Sequence, residues 1–301
     1  MAAPNRGGNP ANGPGAERRV PPTEARRAPI RPPLKRPLKR SWWQGPWPII
    51  IAGGLVLAMV AALVYLSLLR SPGPSSAGIT GDQIAARVAA VSPAVSSQIG
   101  AGGTTNPFST GSSTVLRNSA GLPMVIYVGA DYCPYCAAER WSLVLATSRF
   151  GQLRNMSLGS SSSTDVFPNT PTFSFTGATY TSSVIDFSFV ETSDRQQKPK
   201  STPDALQQSE FTKYNSTGSI PFVDIASRHI AVGSGYPPDV LQNLSWSTIA
   251  SDLINPDSLV AKDIVGNANW ITAAICQVTG SKPLSTCSAP EITTLESQLG
   301  K

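Results

Sequence analysis

Hydrophobic and polar positions divide the chain into stretches of very different character. Residues 1–46 lack apolar periodicity and are rich in Ala, Pro, Gly, Asn and Arg. The run Arg31-Pro32-Pro33-Leu34-Lys35-Arg36-Pro37 cannot build a helix, so this segment is expected to be a disordered arm. From Ser41 to Leu69 there is no charge, and Pro48–Leu69 is almost wholly apolar over 22 residues. That length suffices for a hydrocarbon core of about 30 Å. Trp42, Trp43 and Trp47 stand at its edge, where indoles favour headgroups, and Arg70 ends it. The pattern predicts a single N-terminal transmembrane helix over 47–70. It is expected to stay uncleaved, because signal-peptide cores run to only about 7–15 apolar residues. A tether rich in Ser, Pro and Gly is expected over 71–80.

The body, 81–290, alternates strand-like and helix-like patterns, which predicts an α/β fold. Ile84, Val88 and Val91 recur at helical spacing and predict a helix within Asp82–Val95. Gly100 to Gly111 reads as loop. Residues 123–130 form a continuous apolar run, the pattern of a strand buried on both faces. A Cys-X-X-Cys and then a helix over 137–147 follow it. Alternation at Phe173-Ser-Phe-Thr and Phe187-Ser-Phe-Val predicts hairpins within 157–193. Thr202-Pro203-Asp204 predicts a helix start, with the helix reaching about Tyr214. Two more strands are expected, at Gly218–Ile225 and His229–Val232. Helices are expected from Ser245-Trp246 and across 257–278, and 291–301 is expected to be a C-terminal tail.

Charge changes the picture of partners. The net charge is +6, but residues 1–46 hold 10 of the 24 Lys and Arg and only Glu17 and Glu24, so the arm carries +8 and the rest about −2. A near-neutral body argues against nucleic acid as a partner. The basic excess before the apolar span places the N-terminus in the cytoplasm and the body outside it, in a cell membrane. With His229 the only histidine, any site needing two imidazoles is excluded.

Four cysteines remain. Cys133 and Cys136 lie at the strand-to-helix junction, where free N–H groups and the helix dipole favour the thiolate of the first. Cys136, one turn on, is close enough to act as a resolving partner, and Pro134 suits the first helical turn. Neither metal nor cofactor is expected: Cys276 and Cys287 lack zinc-ligand spacing, and no second histidine stands near. A redox-inert Cys133–Cys136 bridge and a Cys–His hydrolase using His229 are the competing readings of the motif. For an extracellular pair, Cys276 and Cys287 read as a structural disulfide pinning the C-terminal segment. The alternative is a second redox pair relaying electrons to the first.

Val125-Ile-Tyr-Val-Gly-Ala-Asp-Tyr-Cys-Pro-Tyr-Cys136 resembles the first core strand and active-site turn of the thioredoxin superfamily, and Gly218-Ser-Ile-Pro-Phe-Val-Asp224 resembles its cis-proline strand. The Cys-Pro-Tyr-Cys tetrapeptide is similar to that of glutaredoxins. Together with Ala137-Ala-Glu-Arg-Trp141 and Phe167-Pro-Asn-Thr-Pro-Thr-Phe-Ser-Phe175, the region of about 80–290 resembles a membrane-anchored thioredoxin-like family of unknown function from archaea and actinobacteria. The resemblance implies a thioredoxin-like mixed sheet flanked by helices. It also implies a cis-Pro221 facing the thiols, and pairing of the Ile220 backbone with a client chain. Tyr132, Pro134 and Tyr135 would contact that client.

Two departures stand out. The position of the superfamily's buried acid is Tyr127, and 85 residues separate Cys136 from Pro221, which implies an insertion at about 157–200. Pro171, at a spacing of 35, is the rival for the cis-proline. The expected activity is extracytoplasmic thiol–disulfide exchange on protein thiols and disulfides, with Cys133 as nucleophile, Cys136 resolving and a possible membrane redox partner. A non-catalytic binding module with a structural Cys-X-X-Cys, or delivery of metal or electrons to a membrane complex, are the alternatives.

Overall fold

The computed structural model describes residues 47–69 and 78–300. The arm expected over 1–46, and the tether as far as residue 77, lie outside the described residues. The chain divides into two units, Met1–Leu69 and Arg70–Lys301.

In the first unit the apolar run is helical, forming α1 (Trp47–Leu69). Its described side chains, between Ile50 and Tyr65, are all exposed. Among the described residues no helix is long and apolar enough to cross a membrane. This corrects the expectation of a thioredoxin-like fold on a single N-terminal transmembrane helix over 47–70.

The second unit is α/β. The helix expected within 82–95 is two: α2 (Gly81–Ala89), capped by Thr80 and Gln83 in a reciprocal capping box, and α3 (Pro93–Ile99). Ser92-Pro93 restarts the helix, because Pro93 fits a first turn and the Ser92 hydroxyl accepts the Val95 N–H. After β1 (Ser109–Thr110), the apolar run becomes β2 (Met124–Gly129), buried at every position. Val125 and Tyr127 pack into one core cluster, and Ile126 and Val128 into another on the opposite face. Then come α4 (Pro134–Ser148), β3 (Gln152–Arg154), β4 (Ser157–Ser160), β5 (Pro171–Ser174), β6 (Thr179–Thr181) and β7 (Asp186–Glu191).

The expected hairpins divide. Phe173 lies in a β4–β5 antiparallel pair, whereas Phe187-Ser-Phe-Val runs parallel to β2, with Val125 opposite Phe187 and Gly129 opposite Glu191. The segment 157–200 therefore supplies a strand of the main sheet as well as a hairpin. α5 (Ala205–Tyr214) starts at Asp204, whose carboxylate caps Leu206 and Gln207, rather than at Thr202. β8 (Phe222–Ile225) and β9 (His229–Val232) complete a mixed five-stranded sheet in the order β1-β9-β8-β2-β7. His229 is buried on β9, with Nε2 2.6 Å from the Gln277 carboxamide oxygen.

Leu206, Phe211 and Tyr214 of α5 cover the smaller cluster on one face of the sheet. The larger cluster joins the other face to α2, α4, α6 (Trp246–Asp252) and α7 (Leu259–Thr279). Gly280, in left-handed backbone at φ 66°, ends α7 as a C′ residue should. Beyond it lie α8 (Leu284–Cys287) and α9 (Pro290–Gln298), the latter burying Ile292 and Leu295.

Candidate functional site

The dithiol sits where β2 hands the chain to α4. Cys133 is the N-cap of α4, in extended backbone, and its sulfur accepts the Cys136 N–H at 3.3 Å. The sulfur thus takes the place that a Ser or Asp oxygen fills at other helix starts. Pro134 occupies the first turn, where no N–H is needed. Cys133 is 6% exposed and Cys136 fully buried. Both are free thiols.

The two differ electrostatically. Cys133 is lowered from the usual thiol range, first by the hydrogen bond from the Cys136 side chain. Burial opposes this, while the N–H groups of Cys136 and Tyr135 and the charge of Arg140 add to it. Cys136 is pushed well up, mainly by burial. One thiol is therefore poised as thiolate and the other held as thiol, the asymmetry that stepwise exchange requires.

Antiparallel pairing of β2 with β8, Val128 opposite Phe222, brings the segment before β8 alongside this turn. The Ile220–Pro221 peptide is cis, and the Cys133 Sγ lies 3.8 Å from the Ile220 carbonyl oxygen. Pro171 instead opens β5, where its carbonyl accepts the Trp141 indole N–H at 2.9 Å. Tyr132 accepts the Ser162 N–H on its carbonyl at 2.8 Å. Tyr135 is 40% exposed and meets Phe167 edge to face at 5.9 Å. The loop joining β4 to β5 thus packs against the dithiol turn. Cys133, Cys136, Ile220, Pro221, Tyr132, Pro134 and Tyr135 share one neighbourhood. Cys276 and Cys287 are bonded to each other, linking α7 to α8.

Three charged residues in this region escape a sequence reading centred on cysteines. Arg140, fully buried on α4, donates to both carboxylate oxygens of Glu191 at 2.8 and 2.7 Å and to the Ala130 carbonyl at 2.7 Å. Its guanidinium stands 5.9 Å from the Tyr127 ring. Tyr127 is buried, its hydroxyl has no partner among the described residues, and burial raises it well above its ordinary value. That hydroxyl lies over Gly129, where a Cβ would come within 2.0 Å of it, so only glycine fits there.

On another side of α4, Glu139 accepts the Gly235 N–H at 3.0 Å and the Asn267 amide at 2.9 Å, and burial raises it to about 7. Gly233 of the same loop donates to the Pro221 carbonyl at 2.8 Å. The signal for these groups was two adjacent charges inside the otherwise apolar Ala137-Ala-Glu-Arg-Trp141, and a Glu closing an alternating strand. Among the described residues, no three or more His, Cys, Asp or Glu gather as a metal site would need.

Residues 113–202 match the model of a family described as "Domain of unknown function (DUF929)". The match takes in β2, the dithiol turn, α4 and the strands through β7. No curated protein matches the chain, and no solved structure does. The mixed sheet with helices fits a thioredoxin-like arrangement.

Proposed function

We propose that the protein is a thiol–disulfide oxidoreductase acting on protein thiols and disulfides through Cys133 and Cys136. The observation that carries this reading is the asymmetry of the pair: a helix-capping sulfur favoured as thiolate, beside a buried sulfur favoured as thiol. In exchange with a client disulfide, the Cys133 thiolate attacks one client sulfur, the client S–S bond breaks, and a client thiolate leaves. Cys136 then gives its proton to that thiolate and attacks the Cys133 sulfur. This forms the Cys133–Cys136 bond and releases the second client sulfur as thiolate. Two electrons pass from protein to client, and the same path runs backwards for client oxidation.

Only Cys133 of the two has exposed surface, so the client sulfur meets it first. Ile220 and Pro221, with Tyr132, Pro134 and Tyr135, border the approach and are the proposed client contacts. The step needs no cofactor.

The low exposure of Cys133 favours one other reading, a stable bridge in a binding module. Replacing Cys136 by Ser separates the two. An exchanger accumulates reductant-sensitive adducts between Cys133 and client proteins, because the resolving thiol is gone; an inert bridge traps nothing. The reduction potential gives a second criterion. A value of about −120 to −270 mV marks an exchanger, and one below about −300 mV marks a structural bridge.

A further inference from the structure

We propose that the buried Arg140–Glu191 pair sets the redox equilibrium of the dithiol, with Arg140 the positioning residue that makes the protein an oxidant of client dithiols. The inference rests on the exchange reading above and adds its direction.

Arg140 follows Cys136 by four residues and Cys133 by seven, so all three lie along one face of α4. A helical side chain leans toward the helix N-terminus, which carries the guanidinium back toward the sulfurs. Its Nη2 donates to the Ala130 carbonyl at 2.7 Å, the same oxygen that accepts the Cys133 N–H at 3.3 Å. The cation is thus tied to the backbone that places Cys133. Glu191, on β7, accepts two hydrogen bonds from the guanidinium, one of them from the same Nη2 that reaches the Ala130 carbonyl.

The cation outweighs its partner at the sulfurs. Arg140 lowers both thiols, and at Cys136 Glu191 opposes it more weakly. Stability alone does not account for a fully buried ion pair here, since apolar residues of similar volume commonly serve a core as well or better.

The consequence follows from which redox state carries charge. The disulfide is neutral, whereas the reduced pair carries a negative charge whenever Cys133, whose thiol is lowered, has lost its proton. A cation behind the dithiol lowers the energy of the reduced state alone, so the disulfide becomes the stronger oxidant. A client thiolate attacks the Cys133 sulfur of the disulfide, the Cys133–Cys136 bond breaks, and Cys136 leaves and takes up a proton. The second client thiol, having lost its proton, attacks the client sulfur of the mixed disulfide and expels the Cys133 thiolate. The client loses two electrons and two protons; one proton ends on Cys136 and one in solvent. Repeated turnover draws its oxidising equivalents from the disulfide of a second protein.

The test is equilibration of the full-length protein and its variants in glutathione redox buffers. Glu191→Gln removes the nearer of the two carboxylates that face the guanidinium, Asp131 standing at 3.9 Å, so it is expected to move the equilibrium at least threefold toward the reduced dithiol and to extend Cys133 alkylation to lower pH. Arg140→Met is expected to move it about tenfold toward the disulfide. The double variant Arg140→Met/Glu191→Gln buries no unpaired charge, keeps the test available if a single variant does not fold, and should fall on the Arg140→Met side. A purely structural pair would weaken folding in both single variants without opposite shifts of the equilibrium. Shifts of the same sign, or none, overturn the inference while leaving the exchange reading intact. Failure of the unaltered protein to exchange with glutathione at all overturns both.

Discussion

Glu139 makes the stability of this protein depend on pH. Its carboxyl is raised from 4.5 to about 7 by burial, despite hydrogen bonds from Gly235 and Asn267 that favour the charge. The folded state therefore holds this proton more tightly than the unfolded state. Its contribution is complete below pH 4.5 and is lost as pH rises to 7 and past it, a change on the order of 3 kcal/mol. Asp224, raised to about 8 by burial, acts in the same sense over a wider range. Glu139→Gln keeps a neutral group of the same shape. Urea unfolding between pH 4.5 and 8 should show a flatter decline for this variant than for the unaltered chain; an unchanged slope rules the assignment out. The positions of Cys133 and Cys136 were legible, because a Cys-X-X-Cys after an apolar run leaves few local geometries open. Glu191 was not. Its role depends on the parallel register of β7 against β2, which no local pattern encodes.

Among the elements, legibility tracked how local the determining interaction was. β2, α4 and α7 follow from apolar runs and periodicity, and Gly280 marks the end of α7. β7 was mistaken for part of a hairpin, because alternation reveals a strand and not its partner. α9 was read as a tail, although Ile292, Leu295 and Leu299 are buried at helical spacing; so short a helix gains most of its stability from packing on α7. The apolar run at 47–69 was legible as a helix, and its assignment as a membrane span is what the described residues correct. The Cys276–Cys287 bond joins α7 to α8 across a sequence separation of 11 residues. Loop-closure entropy for such a ring gives about 3 kcal/mol. Replacing both cysteines by Ala should lower the unfolding free energy by about that amount, measured by denaturant titration, and leave client trapping by Cys133 unchanged. Loss of trapping at temperatures where the variant stays folded would give this pair a redox role instead.

Across the whole molecule, the sheet order β1-β9-β8-β2-β7 puts β2 between a parallel and an antiparallel neighbour, so the end of one strand meets both Glu191 and the Ile220–Pro221 peptide. The sequence pattern foretold β2, β7, β8 and β9 as strands but not β1, which lies in the expected loop of 100–111, and which of them flank β2 is a property of the assembled sheet. In the proposed exchange the group that starts α4 is itself the reacting atom, since the Cys133 sulfur receives the Cys136 N–H. A disulfide sulfur accepts a hydrogen bond far more weakly than a thiolate, so oxidation partly uncaps the helix. By linkage, whatever the first turn gives the thiolate, the thiolate gives back to the first turn. The amide protons of Tyr135 and Cys136 should then exchange with deuterium faster in the oxidised protein than in the reduced one, while those in the middle of α4 keep one rate. Equal exchange at the helix start in both states would show that the sulfur is no cap. If the rates differ, α4 reports the oxidation state in its own local order, and a partner could sense that state from the helix start without touching either sulfur.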